Sequence, residues 1–450
     1  MAAVLRLRHA GRMSLPTMYL LYSALLAAGL LLTLPYWLLQ MARHGKYYAS
    51  LAQRLGRVPE HLAEEVSQPT IWIHAVSVGE VQAVSGLALE LKRRYEQHRV
   101  VVSTTTDTGQ ALARNRFGPE SVFYFPMDFA FALRPYLRAL RPELIVIAET
   151  EFWPNFLRLA QASGARVAVA NARISDRSWP RYRRFRFLLA RVLEAVNLFL
   201  AQSDEDARRL QDIGADAGRV QVGGNLKFDI PALPQPAIVD QLRTALDGAG
   251  PVLVCGSTVE GEEPMLLQAF QAILSSHSNA VLILAPRHPE RFGEVAHIVE
   301  SNSLRVWRRS SWTNEPLTGG VLLIDTIGEL SALYALADVA FVGGSLVARG
   351  GHNILEPAQH GVAIVVGPHT ENFRDIVEAF AHRNAVRIVT PGELTTVLAE
   401  LIANDRERAE LGRRAAETLR MNMGATARTL AALRNLLQAD SVTASARTLR

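Results

Sequence analysis

The groups able to do chemistry in this chain sit in short polar clusters, most of them next to glycines. Glu80 closes the loop His74-Ala-Val-Ser-Val-Gly79, whose small residues leave room for a substrate. A carboxylate within hydrogen-bond reach of a hydroxyl can take its proton as the oxygen attacks, which makes Glu80 a candidate general base. The competing reading is a glutamate favoured near a helix N-terminus by the dipole. Glu149 and Glu151 follow the apolar run LIVIA. Two carboxylates there either bind ligand hydroxyls and offset positive charge developing in a reaction or reflect the acidic bias of a helix start. Lys227, in GGNLKFD, offers an ammonium to a leaving phosphate or a carboxylate, unless it is a solvated surface lysine. Arg287, in APRH, suits bidentate phosphate recognition. Glu329, in DTIGE, stands three residues after Thr326, which is also a capping-box spacing.

The stretch VAFVGGSLVARGGHNILEP, from Val339 to Pro357, reads as a strand, two glycine pairs and a helix start. That arrangement aims backbone N–H groups and a positive dipole end at a phosphate. The plainer reading is a strand-to-helix turn capped by Asn353 or Glu356. Proline prefers the first helical position, so the helix is expected to begin at Pro357, leaving Asn353 and Glu356 to a ligand.

Apolar runs of four to six residues alternate with helical stretches from Thr70 onward, which predicts βα units and parallel sheets. Strands are expected near residues 70–74, 100–103, 122–125, 144–148, 166–170 and 198–201, and again near 252–255, 281–284, 321–324, 339–341 and 363–366. The polar clusters fall just after these strands, where ligands bind in doubly wound sheets. The fold class is therefore α/β, with two doubly wound Rossmann-like domains facing across a cleft. The expected divisions are a tail over 1–14, a transmembrane anchor over 15–40, an N-terminal domain over 45–230, a linker over 231–245, a C-terminal domain over 246–440 and a loose tail over 441–450.

The chain has 450 residues, 49% of them hydrophobic and 20% charged, which suits folded domains rather than disorder. Its net charge of +5 is mildly basic, and no Lys/Arg tract or recognition motif marks nucleic acid as a partner. No charge lies between Arg12 and Arg43, enough for a bilayer-spanning helix. Basic residues flank both ends, Arg6, Arg8 and Arg12 against Arg43, Lys46, Arg54 and Arg57. The larger flank places the domains in the cytoplasm. The one cysteine, Cys255, cannot form an internal disulfide. In WPRYRRFRFLLARV, from Trp179, arginines alternate with aromatics, as suits a surface near anionic lipid or an amphipathic helix with a solvated face.

IWIHAVSVGEV, ETEFWPN, NARISDRS, GGNLKFD, GSTVEGEE, APRHPERF and GGHNILEPA, taken together and in this order, resemble the 3-deoxy-D-manno-octulosonic acid (Kdo) transferases. The resemblance runs from the membrane segment to about Phe373. It implies a GT-B glycosyltransferase of lipopolysaccharide biosynthesis at the cytoplasmic face of the bacterial inner membrane. The implied reaction is an inverting transfer of Kdo from CMP-Kdo to a tetra-acylated lipid A precursor, lipid IVA. By resemblance Glu80 is the base, Glu149 the transition-state stabiliser, and Lys227 a cation of the site. CMP is then held by Pro286 and Arg287, by Ile327, Gly328 and Glu329, and by Asn353, Ile354, Leu355 and Glu356, with Glu356 partnering ribose hydroxyls. Ser257, Thr258, Gly350 and Gly351 would line the donor pocket. Neither a metal nor a cofactor is expected. Two alternatives stay open: another GT-B enzyme, such as a UDP-sugar transferase or an epimerase, and a non-catalytic membrane-anchored nucleotide-sugar-binding protein. A dehydrogenase is disfavoured because no G-x-G-x-x-G follows the first strand.

Overall fold

The computed structural model describes residues 14–44, 48–63, 68–230 and 237–448. Arg6, Arg8, Arg12 and Lys46, the first six residues of the expected linker (231–236) and the last two residues therefore lie outside the described residues. The chain forms two compact units, Met1–Asp229 with Gly424–Arg450, and Ile230–Met423.

The first unit carries β1 (Thr70–His74), β2 (Arg99–Thr104), β3 (Val122–Tyr124), β4 (Pro142–Ala148), β5 (Arg166–Ala172), β6 (Leu198–Ala201) and β7 (Val220–Val222). They pair in the order β3-β2-β1-β4-β5-β6-β7, every neighbour parallel. Helices cover both faces, so the inner strands are apolar on both sides. All five residues of β1, TIWIH, are buried. Alternation sends Trp72 into a cluster with Phe123, Phe125, Tyr136 and Phe156, and Ile71 and Ile73 into another with Val84, Leu87 and Leu144. The indole of Trp72 donates to Ser103 Oγ at 2.7 Å, so its polar atom is satisfied inside the core.

The second unit repeats the plan with β8 (Val252–Thr258), β9 (Val281–Pro286), β10 (Val306–Arg308), β11 (Gly320–Leu323), β12 (Val339–Val342), β13 (Ala363–Val366) and β14 (Arg387–Ile388). The order is β10-β11-β9-β8-β12-β13-β14, again parallel throughout. The strands absent from the sequence expectation, β7, β10 and β14, are all of two or three residues at or near an edge. Strands this short carry no apolar run that could be read.

Three expectations about the connections change. Residues 237–245, assigned to the linker, form a helix whose Ile238, Val239, Leu242 and Ala245 are buried in the second unit. The last helix, Ala425–Thr448, belongs to the first unit, where Ala425, Leu430 and Leu433 enter the core. It also runs through most of the expected loose tail. The N-terminal apolar helix spans Leu15–His44 and is long and apolar enough, over Leu15–Trp37, to cross a membrane.

Asp229, the last residue of the first unit before the chain leaves it, accepts from Gly424 N at 2.6 Å and from Thr426 N, just where the chain returns. A carboxylate on the free N–H groups of a helix start satisfies two orphan donors and meets the positive dipole end. Arg428 Nε adds a bond to Gly223 O at 2.9 Å. Asp229→Ala should lower unfolding stability by about 1–3 kcal/mol, and Asp229→Asn, which keeps one acceptor, by less. Urea unfolding midpoints of the two variants check this.

Candidate functional site

In a parallel sheet all carboxyl ends share one edge, and a crevice opens there where the strand order reverses. The reversal lies between β1 and β4 in the first sheet and between β8 and β12 in the second. The carboxyl ends of these four strands and the segments just after them hold Glu80, Glu149, Ser257 and the glycine stretch 343–351. Most of the sequence-selected residues thus flank a reversal point. Lys227 follows β7, Arg287 follows β9 and Ile327–Glu329 follow β11, on the same edges.

Glu80 lies in the first turn of helix Val78–Arg94. Ser77 caps that helix, its hydroxyl oxygen accepting Glu80 N at 3.4 Å. In return Glu80 Oε2 accepts Val76 N at 2.8 Å, and Ser77 Oγ donates to Oε1 at 3.1 Å. This is close to a capping box, in which Ser and Glu three apart satisfy orphan donors reciprocally. Glu80 is only 8% exposed. Burial, reinforced by the charges of Glu149 and Glu151 and opposed by the bonds from Val76 and Ser77, raises its carboxyl to about 7. A base at that value is poised for proton transfer near neutral pH.

Glu149 takes φ 56°, a left-handed conformation uncommon for a glutamate, directly after β4. Its N–H bonds Ala170 O at 2.9 Å, and the side chain turns to Lys227, Nζ to Oε1 3.5 Å. Lys227 is set by two asparagines. Asn225 Oδ1 accepts Lys227 N at 3.0 Å, and Asn171 Oδ1 accepts Leu226 N at 2.9 Å. Asn171 is itself at φ 56°. Burial, then the charge of Glu149, raises the Glu151 carboxyl. Glu80, Glu149, Glu151 and Lys227 therefore form one electrostatic cluster, three carboxylates and one ammonium.

In the second unit the organising group is Glu262, fully buried. Its carboxylate accepts Val259 N at 3.0 Å, Gly344 N at 2.8 Å, and Ser345 N and Leu346 N at 2.9 Å each. Four charge-assisted bonds hold the glycine turn after β12 against the loop after β8. Gly343 is required there, because a Cβ would meet Ser257 O at 2.4 Å. Gly344, at φ +70°, has His352 Nε2 2.8 Å from where its Cβ would be. Burial, then the charges of Arg287 and His288, lowers His352 to about 4, so it is neutral and these three side chains are near neighbours.

The helix after this turn begins at Leu355, not at the expected Pro357. Asn353 Oδ1 accepts Leu355 N at 3.1 Å, and its Nδ2 donates to Glu356 Oε1 at 3.3 Å. Asn353 therefore caps as well as facing Glu356, whose carboxyl burial raises. Gly350 and Gly351, at φ +84° and +73°, make the turn before it. Ile327 is 81% exposed beside Gly328 at φ +91°. Glu329 pairs with Arg309 at 3.0 Å and receives the Thr326 hydroxyl, a side-chain link in place of the backbone bond of a true capping box. Ser257 takes φ 55°. Thr258 is buried and donates to Glu263 Oε1 at 3.0 Å, so its hydroxyl serves the core instead of the pocket expected for it. Glu262 and Asn171 were not selected from the sequence as site residues. The acidic run EGEE was the only signal for the first, and NARISDRS for the second.

The family model described as 3-Deoxy-D-manno-octulosonic-acid transferase (kdotransferase) matches residues 49–230. The 3-deoxy-D-manno-octulosonic acid transferase of Haemophilus influenzae is 34% identical over 82% of this chain and 87% of its own length. That of Bordetella pertussis is 36% identical over 89% of this chain and 95% of its own. Among solved structures, Anabaena HepE in complex with UDP covers 82% of this chain and 99% of its own, with TM-score 0.50 and 14% identity, a likeness of fold alone.

A carboxyl raised from 4.5 to about 7 by burial stabilises the fold while protonated. That contribution is complete below about 4.5 and is lost as pH rises through 7. Glu80→Gln removes the dependence and keeps the capping role. The variant should therefore match the parent near pH 4 and exceed it by about 2–4 kcal/mol at pH 8. Unfolding midpoints across that range give the comparison.

Proposed function

Because this chain belongs to the Kdo transferases, we propose that it moves Kdo from CMP-Kdo to lipid IVA, with inversion, at the cytoplasmic face of the inner membrane. That it is a glycosyltransferase transferring Kdo follows from membership; donor, acceptor, stereochemistry and location are the proposal. The observation that carries it is Glu80, a nearly buried carboxylate beside the reversal of strand order, with its pKa raised to about 7.

Glu80 takes the proton of an acceptor hydroxyl, and that oxygen attacks the anomeric carbon of Kdo. The bond from that carbon to the phosphate oxygen breaks, and CMP leaves with both electrons. One displacement inverts the centre. Glu149 offsets the oxocarbenium-like charge, and Lys227, 3.5 Å from it, keeps that carboxylate oriented and answers the acidic donor. Pro286 and Arg287, Ile327–Glu329 and Asn353–Glu356 are the proposed CMP site. Arg287 takes phosphate charge and the Asn353–Glu356 pair the ribose hydroxyls. Gly350, Gly351 and Ser257 shape the donor pocket.

Mass spectrometry of lipid IVA after incubation with CMP-Kdo generated in place tests the reading. A Kdo-bearing lipid with release of CMP supports it; release of UDP from a UDP-sugar, with an unchanged lipid under CMP-Kdo, overturns it. Glu80→Gln should cut kcat by roughly 10²–10⁴-fold with donor KM little changed. In the parent, kcat/KM should rise with pH through about 7 as the base ionises, and the variant should lose that limb.

A further inference from the structure

We propose that the apolar helix Leu15–His44 beds in a single leaflet and does not cross the bilayer, in place of the spanning anchor suggested by its length and composition. Both flanks of the apolar stretch are fastened to one segment of the first unit. At the front, Met18 and Tyr19 enter the core, and Arg158 lies 4.8 Å over the Tyr19 ring. Ser23 Oγ accepts Asn155 Nδ2 at 3.0 Å, and the Tyr22 hydroxyl bonds the Asp128 carboxylate. Asp128 is a fixed partner, since it also accepts Asn155 N at 3.0 Å and Phe156 N at 2.7 Å. Behind the helix, Arg54 O accepts Met127 N at 2.8 Å, and Gln53 Oε1 accepts Tyr124 N at 3.0 Å. Met127 and Asp128 are consecutive, so the two flanks meet the unit within a residue of each other.

Chain length rules out a crossing between these attachments. From Ser23 to His44 the helix is about 32 Å long, close to the roughly 30 Å of a hydrocarbon core. The way back from His44 to Arg54 includes helix Tyr48–Arg54. With that helix the return reaches at most about 23 Å. A chain that left Ser23 on one side could not end on the other and still bring Arg54 back to Met127.

The free sides of the helix fit hydrocarbon. Leu20, Leu25, Leu31 and Leu32 are 65–83% exposed, and such a continuous apolar surface does not stay in water. Helix Pro154–Ala162 packs against both the apolar helix and Arg186–Leu193. On that flank Phe185 and Phe187 are exposed beside Arg181, Arg183, Arg184 and Arg186. Aromatics that dip among acyl chains, next to guanidiniums at headgroup level, fit an anionic lipid surface.

The test is one of sidedness and does not depend on transfer, so it can fail while the proposed reaction stands. The native thiol, Cys255, is buried and its thiol pKa is pushed well up, so it stays silent. Thr17→Cys and Ala162→Cys, both at exposed positions, are expressed separately in full-length chains. Each is treated with a membrane-impermeant maleimide in inner-membrane vesicles of either orientation. Labelling of both from the same face supports the single-leaflet seating. Labelling of Thr17→Cys only from the face opposite Ala162→Cys, or only after detergent, overturns it.

Discussion

Loops that leave a parallel sheet at its carboxyl edge carry backbone amides outside the strand ladder that must still find partners when buried, and this chain meets that demand at both reversal points with a buried glutamate. Glu262 takes four backbone N–H groups and is fully buried. Glu80 takes one backbone N–H and one hydroxyl and keeps a little exposure. The difference decides their roles. A carboxylate wrapped in four donors is a structural clamp, because nothing else can approach it. One with two donors and a pKa near neutrality retains the capacity to take a proton. The same device thus builds a fixed glycine turn in one unit and, in the proposed reaction, the base in the other.

Backbone strain marks the same edges. Glu149, Asn171 and Ser257 all take left-handed φ values; Glu149 follows β4 and Ser257 lies in β8, both strands at a reversal point, and Asn171 lies in β5, one strand further on. Such conformations cost of order 1–3 kcal/mol and persist where surrounding bonds over-determine them. At Asn171 those bonds are visible: its oxygen fixes Leu226 N and its carbonyl accepts from Gln202. The result is the placement of Lys227 beside Glu149. Three carboxylates with one ammonium leave Glu80 in a negative field, and that field adds to burial in holding its proton.

The inner strands were legible because each is an unbroken apolar run, and the placement of the polar clusters at the sheets' carboxyl edges was legible because they directly follow those runs. The edge strands β7, β10 and β14 were not, being too short to show a pattern. Pro357 misled the helix start. Proline's preference for the first position is statistical, and Asn353 supplied a stronger local cap two residues ahead of Leu355. Thr258 looked like a pocket residue from its neighbours, but the strand extends through it and turns its hydroxyl to Glu263. The return of the last helix to the first unit hangs on Asp229, a long-range bond across 195 positions that no local pattern announces.

The attachment of the apolar helix bears on how the proposed lipid acceptor would reach Glu80. Asp128 follows β3 and Asn155 opens the helix after β4, so the helix is fastened on the carboxyl edge of the first sheet. Glu80 and Glu149 follow β1 and β4 on that same edge. In the proposed reaction a membrane-bound acceptor would therefore meet Glu80 from the side on which the apolar helix is proposed to enter lipid, and its acyl chains would not leave hydrocarbon while the sugar is presented. Pulling a tetra-acylated lipid into water would cost about 0.8 kcal/mol for every exposed CH₂, far more than a few sugar hydrogen bonds return. Taken together, the proposed seating and the proposed reaction make the helix a condition of the chemistry as well as an anchor: it would keep the hydrophobic part of the substrate in place while only its polar head crosses to the carboxylates.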